Sequence, residues 1–253
     1  LKAEIKAEGV EDVYNSIQPV LKLDSFRNCV WRGEYRLKTL VQVAERLEWG
    51  LDDVYSGIEC LNVRGTESKG EHSSLEMNLI DSTENLFYIA GVFFGDGDTD
   101  GNITNENRDI QQTIVEKSAE LGFEPQIRRF DDRATRIEVG GKTLNTLLRE
   151  FFEYPESNKS GSISIPETVF EAERSEVSAF VKGYMDADGT VEEARSAVSV
   201  ASKSTQMLDD LQLLRQRFDI ASKLNRRNST LYISGELSVE RFRNEIGFEH
   251  PEK

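Results

Sequence analysis

Two stretches of the chain share one pattern: Ile89-Ala90-Gly91-Val92-Phe93-Phe94-Gly95-Asp96-Gly97 and Val181-Lys182-Gly183-Tyr184-Met185-Asp186-Ala187-Asp188-Gly189. In each, apolar residues recur at the spacing of one helical face, which predicts an amphipathic helix that ends in an acidic residue and a glycine. Asp81 and Ser175 precede the two helices as expected N-caps. Small residues lie four positions apart in both helices, and this spacing lets two helix backbones approach closely.

Packing of these two helices on each other would bring Asp96 and Asp188 side by side at one end. A carboxylate at a helix C-terminus faces the negative end of the helix dipole, and two such carboxylates also repel each other. A divalent cation offsets both effects, because hard ions take carboxylate oxygens as ligands. The two copies therefore predict a metal centre. For one copy alone, an ordinary core helix that ends in an Asp-Gly turn is the alternative.

The paired stretches resemble the two motifs of LAGLIDADG homing endonucleases. The second copy is closer to the family pattern, and the first departs from it at Phe94, where the family often has an acidic residue. The resemblance covers residues 82–253 and is strongest to the endonuclease regions of inteins. It implies that Asp96 and Asp188 are catalytic metal ligands, joined by the backbone carbonyls of Gly95 and Ala187. The implied cofactor is Mg²⁺ or Mn²⁺.

An internal repeat extends beyond the motifs. Residues 105–123 and 202–220 superpose at a constant offset of 97 positions, and both are predicted to be helical. Each is followed by a strand pair that closes on a glycine, Gly140 or Gly235, before another short helix. The chain therefore repeats one αββαββα unit, which implies pseudo-twofold symmetry. We expect an α+β fold with a helical segment over residues 1–80, a first repeat over 81–172 and a second over 173–253.

Basic residues cluster on and beside the predicted strand pairs of an otherwise acidic chain. A pseudo-twofold protein with two basic strand pairs suits double-stranded DNA, whose major groove admits a two-stranded ribbon. Ordinary solvated strand edges are the alternative interpretation. The expected DNA-contacting residues are Arg128, Arg129, Arg133, Arg136, Lys203, Lys223, Arg226 and Arg227.

A lysine follows each motif aspartate at a similar distance, Lys159 after Asp96 and Lys253 after Asp188. In the family that the motifs resemble, a lysine near this place lies beside the active centre, so the resemblance implies catalytic roles for both. A cation there polarises water or offsets charge that develops on a phosphate. An exposed loop lysine is the alternative for each.

The first 80 residues are predicted to be mainly helical. Apolar residues from Leu37 to Leu47 follow the helical period, Trp49-Gly50 interrupts it, and a second helix is expected from Val54 to Leu61. Such a pair is compatible with a helix-turn-helix that enters a major groove. A small helical packing module is an equal alternative, because the basic residues do not share one helical face. Residues 63–78 are rich in Gly, Ser and Glu and are interpreted as a linker.

The net charge is −15, which opposes the phosphate contacts that normally dominate DNA affinity. Dispersed acidic residues are typical of salt-loving organisms, and at molar salt the Debye length falls to roughly 3 Å, so global repulsion matters little. We therefore predict a halophilic archaeal origin, with a protein that does not bind DNA as the alternative. Neither a membrane span nor a signal peptide is visible, which favours a cytoplasmic protein, associated with the nucleoid through DNA.

A competing pattern follows the first motif. The stretch from Asp96 to Ile103 matches the start of an EF-hand calcium loop, but its twelfth position is Asn107, where a bidentate Glu is expected. The two histidines, His72 and His250, show no zinc-site spacing.

The sequence as a whole favours a monomeric endonuclease that uses a divalent metal to hydrolyse a phosphodiester in each strand of a long, roughly palindromic DNA site. A DNA-binding protein of the same fold without cleavage activity is the first alternative. A calcium-binding module at Asp96–Asn107 is the second.

Overall fold

The computed structural model describes residues 1–17, 19, 21–50, 61–63, 73–75, 83–132, 134–155 and 159–249. The chain forms two units, Leu1–Glu59 and Cys60–Lys253. The division therefore falls about twenty residues before the boundary that the sequence suggested at residue 80. Among the described helices, none combines the length and the apolarity that a membrane crossing requires.

The first unit is helical, as its sequence predicts. Its helices are α1 (Lys2–Glu8), α2 (Val10–Ile17), α3 (Leu23–Arg32) and α4 (Leu37–Arg46). They enclose a small core formed by Ile5, Val13, Leu21, Phe26, Val30 and Val43. Helix α4 ends before Trp49-Gly50, as expected. The second helix of the predicted helix-turn-helix lies outside the described residues, except for Leu61, which lies in a strand.

A short antiparallel ladder replaces part of the predicted linker. Strands β1 (Leu61–Val63) and β2 (Ser73–Leu75) pair with Leu61 opposite Leu75 and Val63 opposite Ser73. Three-residue strands of mixed polarity carry too little alternation to be recognised in the sequence, and the Gly- and Ser-rich composition around them favours a loop.

The first repeat contains α5 (Thr83–Asp96), β3 (Asn102–Thr104), α6 (Arg108–Glu120), β4 (Gln126–Arg128), β5 (Arg136–Glu138) and α7 (Gly141–Phe152). Its antiparallel sheet has the order β3-β5-β4. Two short helices follow, α8 (Lys159–Ser162) and α9 (Glu167–Glu171).

The second repeat contains α10 (Arg174–Asp188), β6 (Gly189–Glu192), β7 (Ala197–Ala201), α11 (Thr205–Leu214), β8 (Lys223–Asn225), β9 (Thr230–Ser234) and α12 (Glu236–Glu245). Its antiparallel sheet has the order β6-β7-β9-β8. This repeat confirms the predicted αββαββα order, and the whole chain has the predicted α+β fold.

The first repeat differs by one strand. Where the second repeat has β6, the first has a single antiparallel bridge between Gly97 and Ile103. The interval between motif and next helix is five residues shorter in the first repeat, and this shortening removes the length that the β6–β7 turn needs. The next helix of each repeat begins at the predicted offset of 97 positions, since Asn107 caps α6 and Ser204 caps α11.

The two motif helices pack against each other through their small residues. A Cβ added at Gly91 would overlap the Phe180 carbonyl oxygen, and one added at Gly183 would overlap the Tyr88 carbonyl oxygen. These contacts are related by an offset of 92 positions, as a pseudo-twofold axis between α5 and α10 requires. The predicted close approach is therefore confirmed.

The start of α10 corrects one sequence prediction. The N-cap is Glu173 rather than Ser175, and the Glu173 backbone N–H donates to Glu176 Oε2 at 2.9 Å. This reciprocal arrangement of an N-cap residue and a Glu three positions later satisfies a free backbone donor of the first turn, which a serine inside the helix cannot do. The other predicted cap, Asp81, lies outside the described residues.

Candidate functional site

Asp96 and Asp188 are the last residues of α5 and α10, and the packing of the helices brings them to one end of the pair. A Cβ built on Gly95 would lie 3.5 Å from both Cγ and Oδ2 of Asp188. The Asp188 carboxylate therefore lies against the residue that precedes Asp96. Asp188 is exposed and Asp96 is half-buried, so both can reach a ligand in solvent.

The Asp96 carboxylate is held in place by a side chain that the sequence did not single out. Asn105 Nδ2 donates to Asp96 Oδ2 at 2.6 Å, while Asn105 Oδ1 accepts from the Asn107 N–H at 2.8 Å. The amide is therefore fixed at both ends. Its equivalent in the repeat, Ser202, lies beside Tyr184. Only the internal alignment, which pairs Asn105 with Ser202, gave a signal for this position.

Lys159 inserts its side chain into the same cluster. Its ammonium donates to the Gly95 carbonyl oxygen and to the Gly97 carbonyl oxygen, the latter at 2.8 Å. Burial lowers the pKa of Lys159 to about 8, and the nearby carboxylates of Asp188, Asp96 and Asp98 oppose that shift. The structure thus brings Lys159 to the predicted centre. Lys253 lies outside the described residues.

Two tyrosines line the ends of the motif helices. Tyr154 Oη donates to the Phe93 carbonyl at 3.2 Å, and its ring packs edge-on against Phe94. The Tyr184 hydroxyl is buried beside the Ser202 hydroxyl and the Asp188 carboxylate. Burial raises the pKa of Tyr184, and the charge of Asp188 raises it further.

Asp186, two residues before Asp188, has a different environment. It is fully buried and accepts hydrogen bonds from Tyr88 Oη at 3.0 Å and from the Glu249 N–H at 3.1 Å. Burial raises the pKa of Tyr88, and the adjacent Asp186 carboxylate raises it further. Asp186 therefore links the two motif helices and the end of the described chain, and it does not face the Asp96–Asp188 cluster.

The oxygen donors of the cluster fit a divalent ion of the magnesium type. Asp96 and Asp188 supply two carboxylates at the negative ends of two helix dipoles, and the Gly95 and Ala187 carbonyls are beside them. Within the described ranges, no group of three or more Asp, Glu, His or Cys side chains is arranged to hold a metal. Mg²⁺ is commonly bound by one or two carboxylates plus waters and substrate phosphates, so two carboxylates suffice.

The loop after Asp96 does not have the arrangement of a calcium loop. The Asp98 carboxylate accepts from the backbone N–H groups of Asp100 and Asn102, at 2.9 and 2.8 Å. At the twelfth position, Asn107 Oδ1 accepts from the Asp109 N–H at 2.9 Å and caps helix α6. These oxygens accept hydrogen bonds within the turn and at the N-terminus of α6, so the calcium alternative has no support in the structure.

The predicted DNA-contacting residues occupy strands and turns of the two sheets. Arg128 lies on β4, where its side chain pairs with Glu138 at 2.7 Å, and Arg226 follows β8 and pairs with Asp209 at 2.7 Å. Arg136 lies on β5 and is half-buried, whereas Arg133 lies outside the described residues. The remaining members are exposed: Arg129, Lys203, Lys223 and Arg227.

Comparison with known proteins gives a family match within the second repeat. A family model described as a LAGLIDADG-like domain matches residues 175–247, which span almost all of α10 to α12. Homing endonuclease I-ApeI of Aeropyrum pernix is 26% identical over 191 residues, which cover 66% of this chain and 82% of that protein. A solved structure of I-DmoI in complex with DNA and Ca has 15% identity and a TM-score of 0.48, and it covers 68% of this chain and 95% of that one.

Other relatives have unrelated names. Elongation factor 2 of Methanopyrus kandleri is 36% identical over 98% of this chain, and a probable translation initiation factor IF-2 of Thermococcus kodakarensis is 42% identical over 65% of it. The chain spans less than a fifth of the length of either relative, 19% and 14% respectively.

Proposed function

We propose that this chain is a LAGLIDADG-type, site-specific DNA endonuclease that uses a divalent metal ion to hydrolyse one phosphodiester in each strand. The observation that carries the proposal is the meeting of Asp96 and Asp188 at the ends of two helices that are packed through glycines. Nothing in the packing of α5 on α10 requires carboxylates there, and their mutual repulsion is unfavourable. A divalent cation bound by both carboxylates, beside a scissile phosphate, would offset this repulsion.

The roles of the side chains follow from their positions. Bound Mg²⁺ or Mn²⁺ would supply Lewis-acid polarisation of the phosphate and a water of lowered pKa. Asp96 and Asp188 would hold the ion, with the carbonyls of Gly95 and Ala187 as further donors. Asn105 keeps the Asp96 carboxylate in one orientation. Lys159 would offset the negative charge that develops on the phosphate during attack.

DNA binding is assigned to the two sheets. One basic strand pair per repeat would contact one half of a pseudo-palindromic site, through Arg128 and Arg129 in the first repeat and Arg226 and Arg227 in the second. The ion pairs of Arg128 with Glu138 and of Arg226 with Asp209 would exchange a carboxylate for a phosphate on binding. The Lys203 and Lys223 side chains are exposed beside the second pair.

We further propose that the chain is the endonuclease region of an intein, acts as a monomer and works in the cytoplasm of a halophilic archaeon. The intein proposal is supported by the relatives with unrelated names, because the segment that matches this chain is a small part of each of them. A mobile insertion found in different host proteins gives this pattern. Internal pseudo-twofold symmetry supports the monomer, and the net charge of −15 supports the salt-rich environment.

A non-cleaving DNA-binding protein of the same fold is the second candidate. The net charge of −15 favours this candidate, and so do the ion pairs of Arg128 and Arg226, because both weaken the attraction between the protein and DNA phosphates. The presence of both motif aspartates favours cleavage.

The deciding experiment is incubation of the protein with DNA that carries a host gene without the insertion, in Mg²⁺ and high salt. The proposal predicts a double-strand break at one position, absent in EDTA and absent with Asp188→Asn. DNA that is bound and left intact by the unmodified protein would favour the non-cleaving candidate.

A further inference from the structure

One carbonyl oxygen of the candidate site, that of Gly95, has two competing partners. The Gly95 carbonyl is a proposed ligand of the divalent ion, yet it accepts a hydrogen bond from the Lys159 ammonium. The same ammonium also donates to the Gly97 carbonyl at 2.8 Å. Lys159 therefore binds the backbone on both sides of Asp96, at the C-terminus of α5, where the helix dipole is negative.

The charges around Lys159 match those that a bound metal would meet. Asp188, Asp96 and Asp98 are the carboxylates that act on its ammonium, and the first two are the proposed metal ligands. The side chain is half-buried, so solvent screens these interactions only in part. The singly charged Lys159 ammonium therefore lies among the groups that are proposed to bind a divalent cation.

We propose that the Lys159 ammonium is an internal counter-ion that occupies the cation position in the metal-free protein and competes with the divalent ion for the Gly95 carbonyl. The inference rests on the proposed metal centre. In the metal-free protein, Lys159 offsets the repulsion between the motif carboxylates. With a divalent ion bound at Asp96 and Asp188, the Lys159 ammonium would leave the Gly95 carbonyl and would be available to the phosphate.

Two linked effects distinguish this role from a purely catalytic one. Removal of the ammonium should increase the repulsion between the two carboxylates, so a bound divalent ion should add more stability than it does in the unmodified protein. It should also remove the competitor and the like charge, which tightens metal binding. A group that acts only on the phosphate would change neither quantity in the absence of DNA.

The test uses the full chain without DNA at constant high salt. Thermal unfolding in EDTA and in Mg²⁺, and direct titration with Mn²⁺ followed by the signal of the free ion, are compared for the unmodified protein, Lys159→Met and Lys159→Gln. The Gln variant removes the charge and retains an N–H donor on a side chain that is one bond shorter. We expect Mg²⁺ to raise the melting temperature of both variants more than that of the unmodified protein, and we expect both variants to bind Mn²⁺ about tenfold more tightly.

Lys182→Met is the matched control, because Lys182 lies on α10 and pairs with Glu249 at 3.2 Å rather than with the motif aspartates. It should show the metal response of the unmodified protein. Unchanged or weaker Mn²⁺ binding in both Lys159 variants would overturn the inference, whatever the unmodified protein does. Cleavage is measured separately on DNA, so failure of the counter-ion role and failure of the endonuclease proposal give different results.

Discussion

Tyr88 on α5 donates a hydrogen bond to Asp186 on α10 at 3.0 Å, and the pseudo-twofold axis converts this pair into Phe180 and Phe94, whose rings lie 5.3 Å apart. One face of the helix pair is therefore closed by a buried polar contact and the other by an edge-to-face aromatic contact. A carboxylate at position 94 would lie against the apolar Phe180 ring, where burial of a charge is costly, and this accounts for the phenylalanine there.

Loss of the Tyr88 hydroxyl should cost stability. Tyr88→Phe leaves the buried Asp186 carboxylate one donor short, and we expect a loss of about 1–3 kcal/mol in the free energy of unfolding. Urea unfolding measures it. Tyr232→Phe, at a half-exposed site on β9, is the control and should change stability little. Equal stability of Tyr88→Phe and the unmodified protein would show that the Asp186 network contributes nothing.

The glycine contacts between the motif helices should tolerate no side chain. Gly183→Ala places a methyl group against the Tyr88 carbonyl oxygen, and backbone must move to make room, so we expect a loss of about 3 kcal/mol in the free energy of unfolding. Gly161→Ala is the control, since a Cβ at Gly161 would have nothing within 4 Å. Thermal unfolding of the two variants gives the comparison, and similar melting temperatures would contradict the close approach of α5 and α10.

The two acidic residues of the second motif should separate activity from stability. Asp188→Asn should abolish or cripple cleavage while folding and DNA binding persist, since Asp188 is exposed and only its charge is removed. Asp186→Asn should retain some cleavage and lose stability, because Asp186 is fully buried and bonded to Tyr88 and Glu249. Cleavage assays and urea unfolding on both variants test this. Full activity in Asp188→Asn would rule out the proposed mechanism.

Arg226 and Arg227 should act on one half of the DNA site. Replacement of both with Ala should weaken binding to the half-site contacted by the second repeat and leave the other half protected. A base-reading arginine would cost about 1–3 kcal/mol and relax specificity, whereas a phosphate-contacting one would weaken all sequences alike. Footprinting on half-site variants distinguishes the two. Arg128 and Arg129, replaced together, are the matched pair, and equal loss on both halves would contradict the assignment.

Alkaline pH should weaken the fold through the buried tyrosines. Burial raises the pKa of Tyr88, Tyr154 and Tyr184 above the ordinary value of 10.0, so the unfolded chain ionises first. The contribution of these tyrosines to the free energy of unfolding is fully present below pH 10. It is lost as the pH rises above 10, by about 1.4 kcal/mol per pH unit for each tyrosine. Urea unfolding between about pH 9 and pH 11 measures the slope. Tyr154→Phe should reduce the slope of the unfolding free energy against pH by about 1.4 kcal/mol per pH unit, the contribution of one tyrosine.

The helices and the repeat followed from local rules, and that is why the sequence predicted them. Apolar spacing and paired small residues are each encoded within a few residues. The three-residue strands β1 and β2 have no such local signal, because pairing between distant segments creates them. The Glu173 cap was missed because Ser175 is the commoner N-cap type, and the choice was settled by a Glu at the third helical position.

The site was predicted in part. Asp96, Asp188 and Lys159 were identified from the motif pattern and its resemblance, and the structure brings these three together. Asn105 and Tyr154 were missed, because their roles depend on hydrogen bonds that cross from loop to motif helix. The roles of the basic strand residues remain predictions.

The missing first strand of the first repeat removes a choice of orientation. Two identical halves would let the protein occupy a palindromic site in either of two directions, with the same contacts in both. With the proposed DNA contacts, the three-stranded half and the four-stranded half would present different edges to the duplex, and one direction would be preferred. We expect such a protein to distinguish the upstream from the downstream flank of an insertion point.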